Sequence, residues 1–344
     1  MSNAINYIKE LTSIASPTGY TKDIINYVDK LVKDWGYESK ITNKGGLMVT
    51  VQGKDDERHR VLTAHLDTLG AIVRSIKADG RLKIDLIGGF AYSSIEGENC
   101  IVHVNKNQAK ISGTILMHQS SVHVYNDVNS AERNQTNIEV RLDVESKSAE
   151  DTKKLGIEVG DFISFDPRTI VTDTGFIKSR HLDDKVSAAI LLNQLKTIKE
   201  KNLELPYTSH FYFSNNEEIG YGANSSIPEK VVEYIAVDMG AMGDDQTTDE
   251  YSVSICVKDS SGPYNFDLKN HLVSLCEENE IDYRLDIYPR YGSDASAAMM
   301  AGHDVKHALF GAGIESSHSY ERTHKKSVEA TEALVNAYLF SEMV

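Results

Sequence analysis

Histidines and carboxylates recur in this chain directly after short apolar runs. His65-Leu66-Asp67 follows Val61-Leu62-Thr63-Ala64, Glu217-Glu218 follows the run from His210 to Asn216, and Asp238 follows Tyr234-Ile235-Ala236-Val237. His181-Leu182-Asp183-Asp184 and Glu315-Ser316-Ser317-His318 complete the set. In an open α/β sheet the carboxyl ends of the strands line one crevice, so residues remote in sequence converge there. What would converge is His, Asp, Glu, Asp and His without a thiolate, the donor set for one or two divalent ions such as zinc or cobalt. A pair of ions needs a bridging carboxylate and leaves another carboxylate free as a base. The adjacent pair Glu217-Glu218 suits this, because neighbours in irregular backbone point different ways.

Each motif alone has a plainer reading, and only the convergence lifts them above it. His65 by itself is a core histidine at a strand end. Asp183 and Asp184 open a helix, where either could cap it. Glu217-Glu218 could be a solvated turn, and Asp238 before Met239-Gly240 could be turn chemistry. Asp294 reads as an N-cap, Arg58 and His59 as the end of a solvated charged loop. His118 and His123 form a spacing common by chance.

The elements that must position these groups are legible from periodicity. Asn3 to Ala15 and Lys22 to Trp35 carry apolar residues at helical spacing, while Leu47 to Val51 alternates like a strand. Arg60 to Ala64 has the pattern of a buried parallel strand. From about Ala71 to Thr172 short alternating strands and turns dominate, with Asp79-Gly80 marking a hairpin and Ser148 to Leu155 a possible helix. After Val186 the α/β texture returns. Helices are expected at Val186 to Ile198, Tyr264 to Glu278, Ala295 to Ala301 and Ser327 to Met343. Strands are expected at Tyr207 to Ser214, Val231 to Val237, Ser252 to Val257 and Lys306 to Phe310. The fold class is therefore α/β, a mostly parallel sheet with helices on both faces, plus an inserted all-β domain. Residues 1–69 and 173–344 form the host and 70–172 the insertion.

Composition narrows the function classes. The chain has 344 residues, 40% hydrophobic and 25% charged, an ordinary globular profile long enough for a core without staples. Its net charge of −15 repels phosphate backbones and anionic lipid, so nucleic-acid and membrane-surface roles are disfavoured. Cys100, Cys256 and Cys276 are odd in number and far apart, which points to reduced thiols and a cytoplasmic protein. No secretory signal is visible at the N-terminus.

The elements H-L-D, L-D-D-K, E-E-I-G, V-D-M-G and S-H-S-Y-E, in this order around a β insertion, resemble the TET-type dinuclear metalloaminopeptidases. These are also called glutamyl or deblocking aminopeptidases and, historically, endoglucanases. The resemblance runs over nearly the whole chain. It implies that His65 and Asp238 bind one metal, Glu218 and His318 the other, and that Asp183 bridges them, which leaves the helix cap to Asp184. It also implies Glu217 as general base and Asp67 as the residue orienting His65. The implied cofactors are two divalent ions, zinc or cobalt first and manganese next. The implied substrates are peptides with a free N-terminus. The implied assembly is a homo-oligomer, from a dimer up to a dodecamer, with a β-barrel-like insertion at the subunit contacts. Before His318 the chain reads Glu315-Ser316-Ser317, where the family usually has an Arg and an aromatic residue.

Rival readings make different demands. A deacylase or carboxypeptidase shares the dinuclear plan but does not require a free substrate N-terminus. An endo-1,4-beta-glucanase needs two carboxylates and no metal, which leaves the histidines unexplained. A non-catalytic assembly protein need not keep every ligand position filled.

Overall fold

The computed structural model describes residues 3–344. It divides into two compact units, one running to Asp67 and resuming from Thr169 to Val344, the other Thr68–Arg168.

The first unit opens with α1 (Asn3–Ser13), α2 (Lys22–Asp34), β1 (Ser39–Ile41), β2 (Leu47–Val51) and β3 (Gly53–His65). The second unit holds β4 (Gly70–Ile76), β5 (Leu82–Ile87), β6 (Asn99–His103), β7 (Lys110–Met117), β8 (Ile138–Leu142), α3 (Ala149–Lys154) and β9 (Phe162–Phe165). The chain then returns through β10 (Ile170–Val171), β11 (Phe176–Ser179), α4 (Leu182–Glu200) and β12 (Leu205–Ser214). Next come β13 (Val231–Ala241), β14 (Val253–Asp259), β15 (Gly262–Pro263), α5 (Phe266–Glu278) and β16 (Tyr283–Ile287). It ends with α6 (Asp294–Met300), β17 (Lys306–Ile314), β18 (Glu321–His324) and α7 (Lys325–Phe340).

The main sheet has the order β1-β2-β12-β3-β13-β17-β14-β15, with β16 beside β14. Only β12, β3, β13 and β17 run parallel as a continuous block. The expectation of a mostly parallel sheet is corrected here to a mixed one. The short turn from Thr42 to Gly46 forces β2 to run against β1, and β14 runs against β17. The parallel block is what matters for the site, since its strands all end on one side.

Alternation along the strands divides the core. Leu62, Ala64, Phe211, Phe213, Ile235 and Val237 pack with residues of α1, α2, α4, α5 and α7. Their neighbours Val61, Tyr212, Tyr234 and Ala236 pack with Ala295 and Ala298 of α6. Each buried Phe or Leu contributes about 1.5–3 kcal/mol, so the burial fixes strand register firmly. In α2, Ile24, Ile25, Val28 and Val32 make the single buried stripe expected of a helix on the outside of a sheet.

The sequence reading of Arg58 and His59 as the end of a solvated charged loop holds for the exposure of Arg58 but fails in placing them in a loop and in exposing His59. Both lie within β3, and His59 is buried, its Nδ1 2.9 Å from Nε2 of His210. Charged residues in the first half of β3 hide the strand's alternation.

In the second unit, β4-β5-β8-β7-β6-β9 close into a barrel around its own apolar core, with Ile84, Val102, Ile115, Val140 and Ile163 inside. Glu139, buried on β8, is met by Lys77 and Arg81, and His118 lies 3.2 Å from it. His118 is thereby accounted for as a partner of that carboxylate. Among the described residues no helix is long and apolar enough to cross a membrane.

Candidate active site

Strand register brings the motifs to one level. Ser214, the last residue of β12, pairs with His65, the last of β3. On the other side of β3, Ala236 pairs with Thr63, which sets Asp238 two residues further on at the height of His65. Gly311 of β17 lies opposite Asp238, and a Cβ there would sit 1.6 Å from the Asp238 carbonyl oxygen. Only glycine permits this approach.

A second, smaller sheet delivers the remaining groups. β11 pairs with β18 so that Ser179 faces Glu321, which draws the segment from Arg180 to Asp184 beside the loop carrying His318. Glu321 then accepts hydrogen bonds from the amides of Leu182 at 2.8 Å, Asp183 at 3.0 Å and His318 at 3.0 Å. His318 has a φ of 64°, a left-handed conformation that side chains other than glycine rarely adopt and that clusters at functional sites.

Asp183 sits between the two imidazoles. Its Oδ1 is 3.0 Å from Nε2 of His65, and its Oδ2 is 3.3 Å from Nε2 of His318. Glu218 lies on the His318 side, with Oε2 3.6 Å from Nε2, and Glu217 on the His65 side at 3.7 Å. Ligand atoms of His65, Glu217 and Asp238 all lie within 4.8 Å of one another.

Asp67 touches His65 mainly through its backbone, the carbonyl oxygen being 2.9 Å from Nδ1 and the nearer carboxylate oxygen 3.6 Å. Its carboxylate accepts from the amides of Glu217 at 3.2 Å and Glu218 at 3.3 Å and from the Thr18 hydroxyl at 2.7 Å. Asp67 thus ties the glutamate pair to the end of β3.

Asp184 does not cap α4. Its backbone is non-helical, and its Oδ2 accepts from the amide of His65 at 3.1 Å. Asp294 is likewise not an N-cap: Ser293 caps α6, while Asp294 accepts from the Ser214 hydroxyl at 2.6 Å. Both carboxylates face inward because their elements end at the crevice, which local sequence does not reveal.

Sequence reasoning gave no role to Glu321, although it lies three residues beyond His318 in the quoted S-H-S-Y-E. A carboxylate so close to a candidate ligand was the available signal. Lys185 was also passed over. It is buried, and its Nζ donates to Ser16 Oγ at 2.8 Å and to the Leu11 carbonyl at 3.1 Å.

The electrostatics are those of crowded negative charge. Burial pushes the Glu218 carboxyl up to about 8, with Asp183 adding to the rise. Burial, then Asp183, brings Asp238 to about 7. Glu217 is driven well above the ordinary range by burial, against His65 and with Asp238 and Asp294. For Asp183 burial acts in the same direction, yet the imidazoles of His318 and His65 hold it below the usual carboxylate range. Burial opposes charge on His65, but Asp183 and Asp67 raise it well above its ordinary value. Asp183, Asp184, Glu217, Glu218, Asp238 and Glu321 outnumber the two imidazoles, an imbalance that divalent cations would relieve. Oxygen and imidazole donors without thiolate match zinc, cobalt or manganese. The residues present therefore fit such ions.

A cavity of about 290 Å³ opens beside His318, lined among others by Met239, Met242, Tyr288 and Tyr291. A larger one of about 1030 Å³ follows β1 and β2, but no residue of the candidate site lines it.

The sequence profile described as M42 glutamyl aminopeptidase matches residues 45–334. This chain belongs to that family. It is 61% identical over 337 residues to YhfE of Bacillus subtilis (strain 168), named as an aminopeptidase, with 98% of this chain and 97% of that protein covered. The TET1 peptidase of Pyrococcus horikoshii, which can assemble into a tetrahedron or a large octahedral shell, superposes with a TM-score of 0.85 at 25% identity. That match covers 98% of this chain and 100% of the other. A TET aminopeptidase from the marine sediment archaeon Thaumarchaeota archaeon SCGC AB-539-E09 shares the fold with a TM-score of 0.88 at 19% identity, covering 98% and 96%. The family match and the shared fold thus place the chain with aminopeptidases of the TET type.

Proposed function

We propose that the protein is a dinuclear metalloaminopeptidase that removes N-terminal residues from peptides. The observation that carries this reading is Asp183, placed between His65 and His318 with one oxygen toward each. His65 and Asp238 would hold one cation, Glu218 and His318 the other, and Asp183 both. Two divalent cations held there would polarise the scissile carbonyl and acidify the attacking water.

The chain's own groups do the rest. Glu217 takes the water's proton and returns it to the departing amine, ending as it began. It suits the role better than Glu218, since its side chain is 15% exposed against 3% for Glu218. Asp67 keeps Glu217 and Glu218 in place through their amides. The excess of carboxylates draws the cationic N-terminus of the peptide into the crevice. The cavity beside His318 would receive its first side chain.

We further read the chain as a homo-oligomer with the barrel at subunit contacts, on the likeness to the shell-forming TET1 peptidase. The three buried free thiols suit a reducing, cytoplasmic setting.

A panel of aminoacyl-nitroanilides, assayed with chelator and then with zinc, cobalt or manganese, tests the activity. Hydrolysis that stops with chelator, returns with metal and is abolished by N-acetylating the substrate supports it. Hydrolysis unaffected by chelator, or equally fast on the acetylated substrate, contradicts it.

A further inference from the structure

The turn between β1 and β2 clasps the chain on both sides of Glu217 and Glu218. On the near side, the Asn215 amide donates to the Lys44 carbonyl at 2.8 Å and to the Thr21 hydroxyl at 3.2 Å. On the far side, Lys44 Nζ donates to the carbonyl oxygens of Tyr221 and Gly222 and to Oδ1 of Asn224, each at 2.6 Å. An ammonium has three protons to donate, and here each has an acceptor in one four-residue stretch. The approach is close. Gly45 has a φ of +97°, and a Cβ on it would lie 2.8 Å from the Asn215 amide nitrogen.

The segment after the pair is held in part by its own backbone, the Gly220 amide donating to the Glu217 carbonyl at 2.7 Å and the Tyr221 amide to the Asn216 carbonyl at 3.2 Å. The short 3-10 helix Glu217–Ile219 ends at Gly220, which has a φ of 89°, and Gly222 follows. Glycines restrict the backbone little, so the bonds from Lys44 add to these local ones in defining the path. Asp67 fixes the amides of the pair itself, and Lys44 fixes what comes directly after it.

We propose that Lys44 is a positioning residue for the Glu217–Glu218 pair, its ammonium holding Tyr221 to Asn224 while its carbonyl holds Asn215. The proposal rests on reading Glu217 as base and Glu218 as ligand. A lysine that merely stapled a loop would affect stability alone. A positioning lysine must change turnover, because base and ligand both move when the segment loosens.

The test compares Lys44→Met, which keeps the stem and removes the ammonium, with Lys44→Arg, which keeps donors. For Lys44→Met, kcat should fall roughly 10- to 100-fold with KM within about twofold, as for loss of a supporting hydrogen-bond shell. Lys44→Arg should recover part of that kcat. Amide exchange read by mass spectrometry should quicken in the peptide spanning 214–224 and stay unchanged elsewhere. Wild-type kcat in Lys44→Met overturns the proposal whatever the local exchange, and so does faster exchange throughout the chain, which signals general destabilisation. Full activity in Glu217→Gln would instead remove the functional reading beneath it, while the exchange measurement reports on the clasp independently.

Discussion

The carboxylate of Asp183 faces His65 with one oxygen at 3.0 Å and His318 with the other at 3.3 Å. These imidazoles are 253 positions apart in sequence (318 − 65); His65 ends β3, and His318 lies in the loop between β17 and β18. A carboxylate can accept at both oxygens, and here each oxygen of a buried one is turned to a different imidazole.

Glu321 makes this arrangement possible by gathering the amides of Leu182, Asp183 and His318. Glu321→Ala should lower activity or metal affinity roughly 10- to 100-fold, the usual loss for an outer-shell partner. Glu321→Gln, which keeps an accepting oxygen, should retain more of both. Metal titrations of the two variants check this ordering, and equal behaviour of both with wild type would refute it.

Gly311→Ala should displace the strand carrying Asp238. The added Cβ meets the Asp238 carbonyl at 1.6 Å, and backbone cannot yield as a flexible side chain can. Overpacking of this kind costs about 1–3 kcal/mol. Urea unfolding should show the loss, with activity falling at the same time. An unchanged midpoint would mean the strands separate more easily than their pairing implies.

His210 should make the protein acid-sensitive. Burial, then the neighbouring His59, lowers its pKa from 6.5 to about 4, against Asp56. The unfolded chain therefore takes up the proton first as pH falls, so the stabilisation is complete above about 6.5 and drains away toward 4. The full effect is at most about 3 kcal/mol. His210→Gln should lose less stability than wild type between pH 7 and 4.5, measured by urea midpoints. Identical pH slopes would sink this.

Glu217→Gln should keep bound metal and lose kcat by roughly 10²- to 10⁴-fold, the range of general-base catalysis. Metal analysis beside steady-state kinetics separates base from ligand. Loss of an ion in this variant would place Glu217 among the ligands, a position its closeness to His65 and Asp238 makes geometrically accessible.

The helices, the parallel strands and the β texture of the insertion were legible because burial imposes period on sequence. The antiparallel flanks were not, since strand direction depends on connections rather than on pattern. His65, the Glu217–Glu218 pair and Asp238 could be singled out because they follow apolar runs, whereas Asp183 and His318 do not, and their roles come from the family resemblance. Asp184 and Asp294 were misread as caps: their partners, the His65 amide and the Ser214 hydroxyl, are remote in sequence. His59 was misread because charged neighbours masked its strand. Glu321 and Lys44 make their bonds to backbone amides and carbonyls, so only the closeness of Glu321 to His318 in sequence pointed to either.

The most direct test counts ions. Protein dialysed against trace zinc and analysed by atomic emission should hold two ions per chain, and Asp183→Ala should hold at most one and be inactive. Wild-type protein that binds no ion, or an Asp183→Ala variant that keeps two ions and full aminopeptidase activity, would contradict the account.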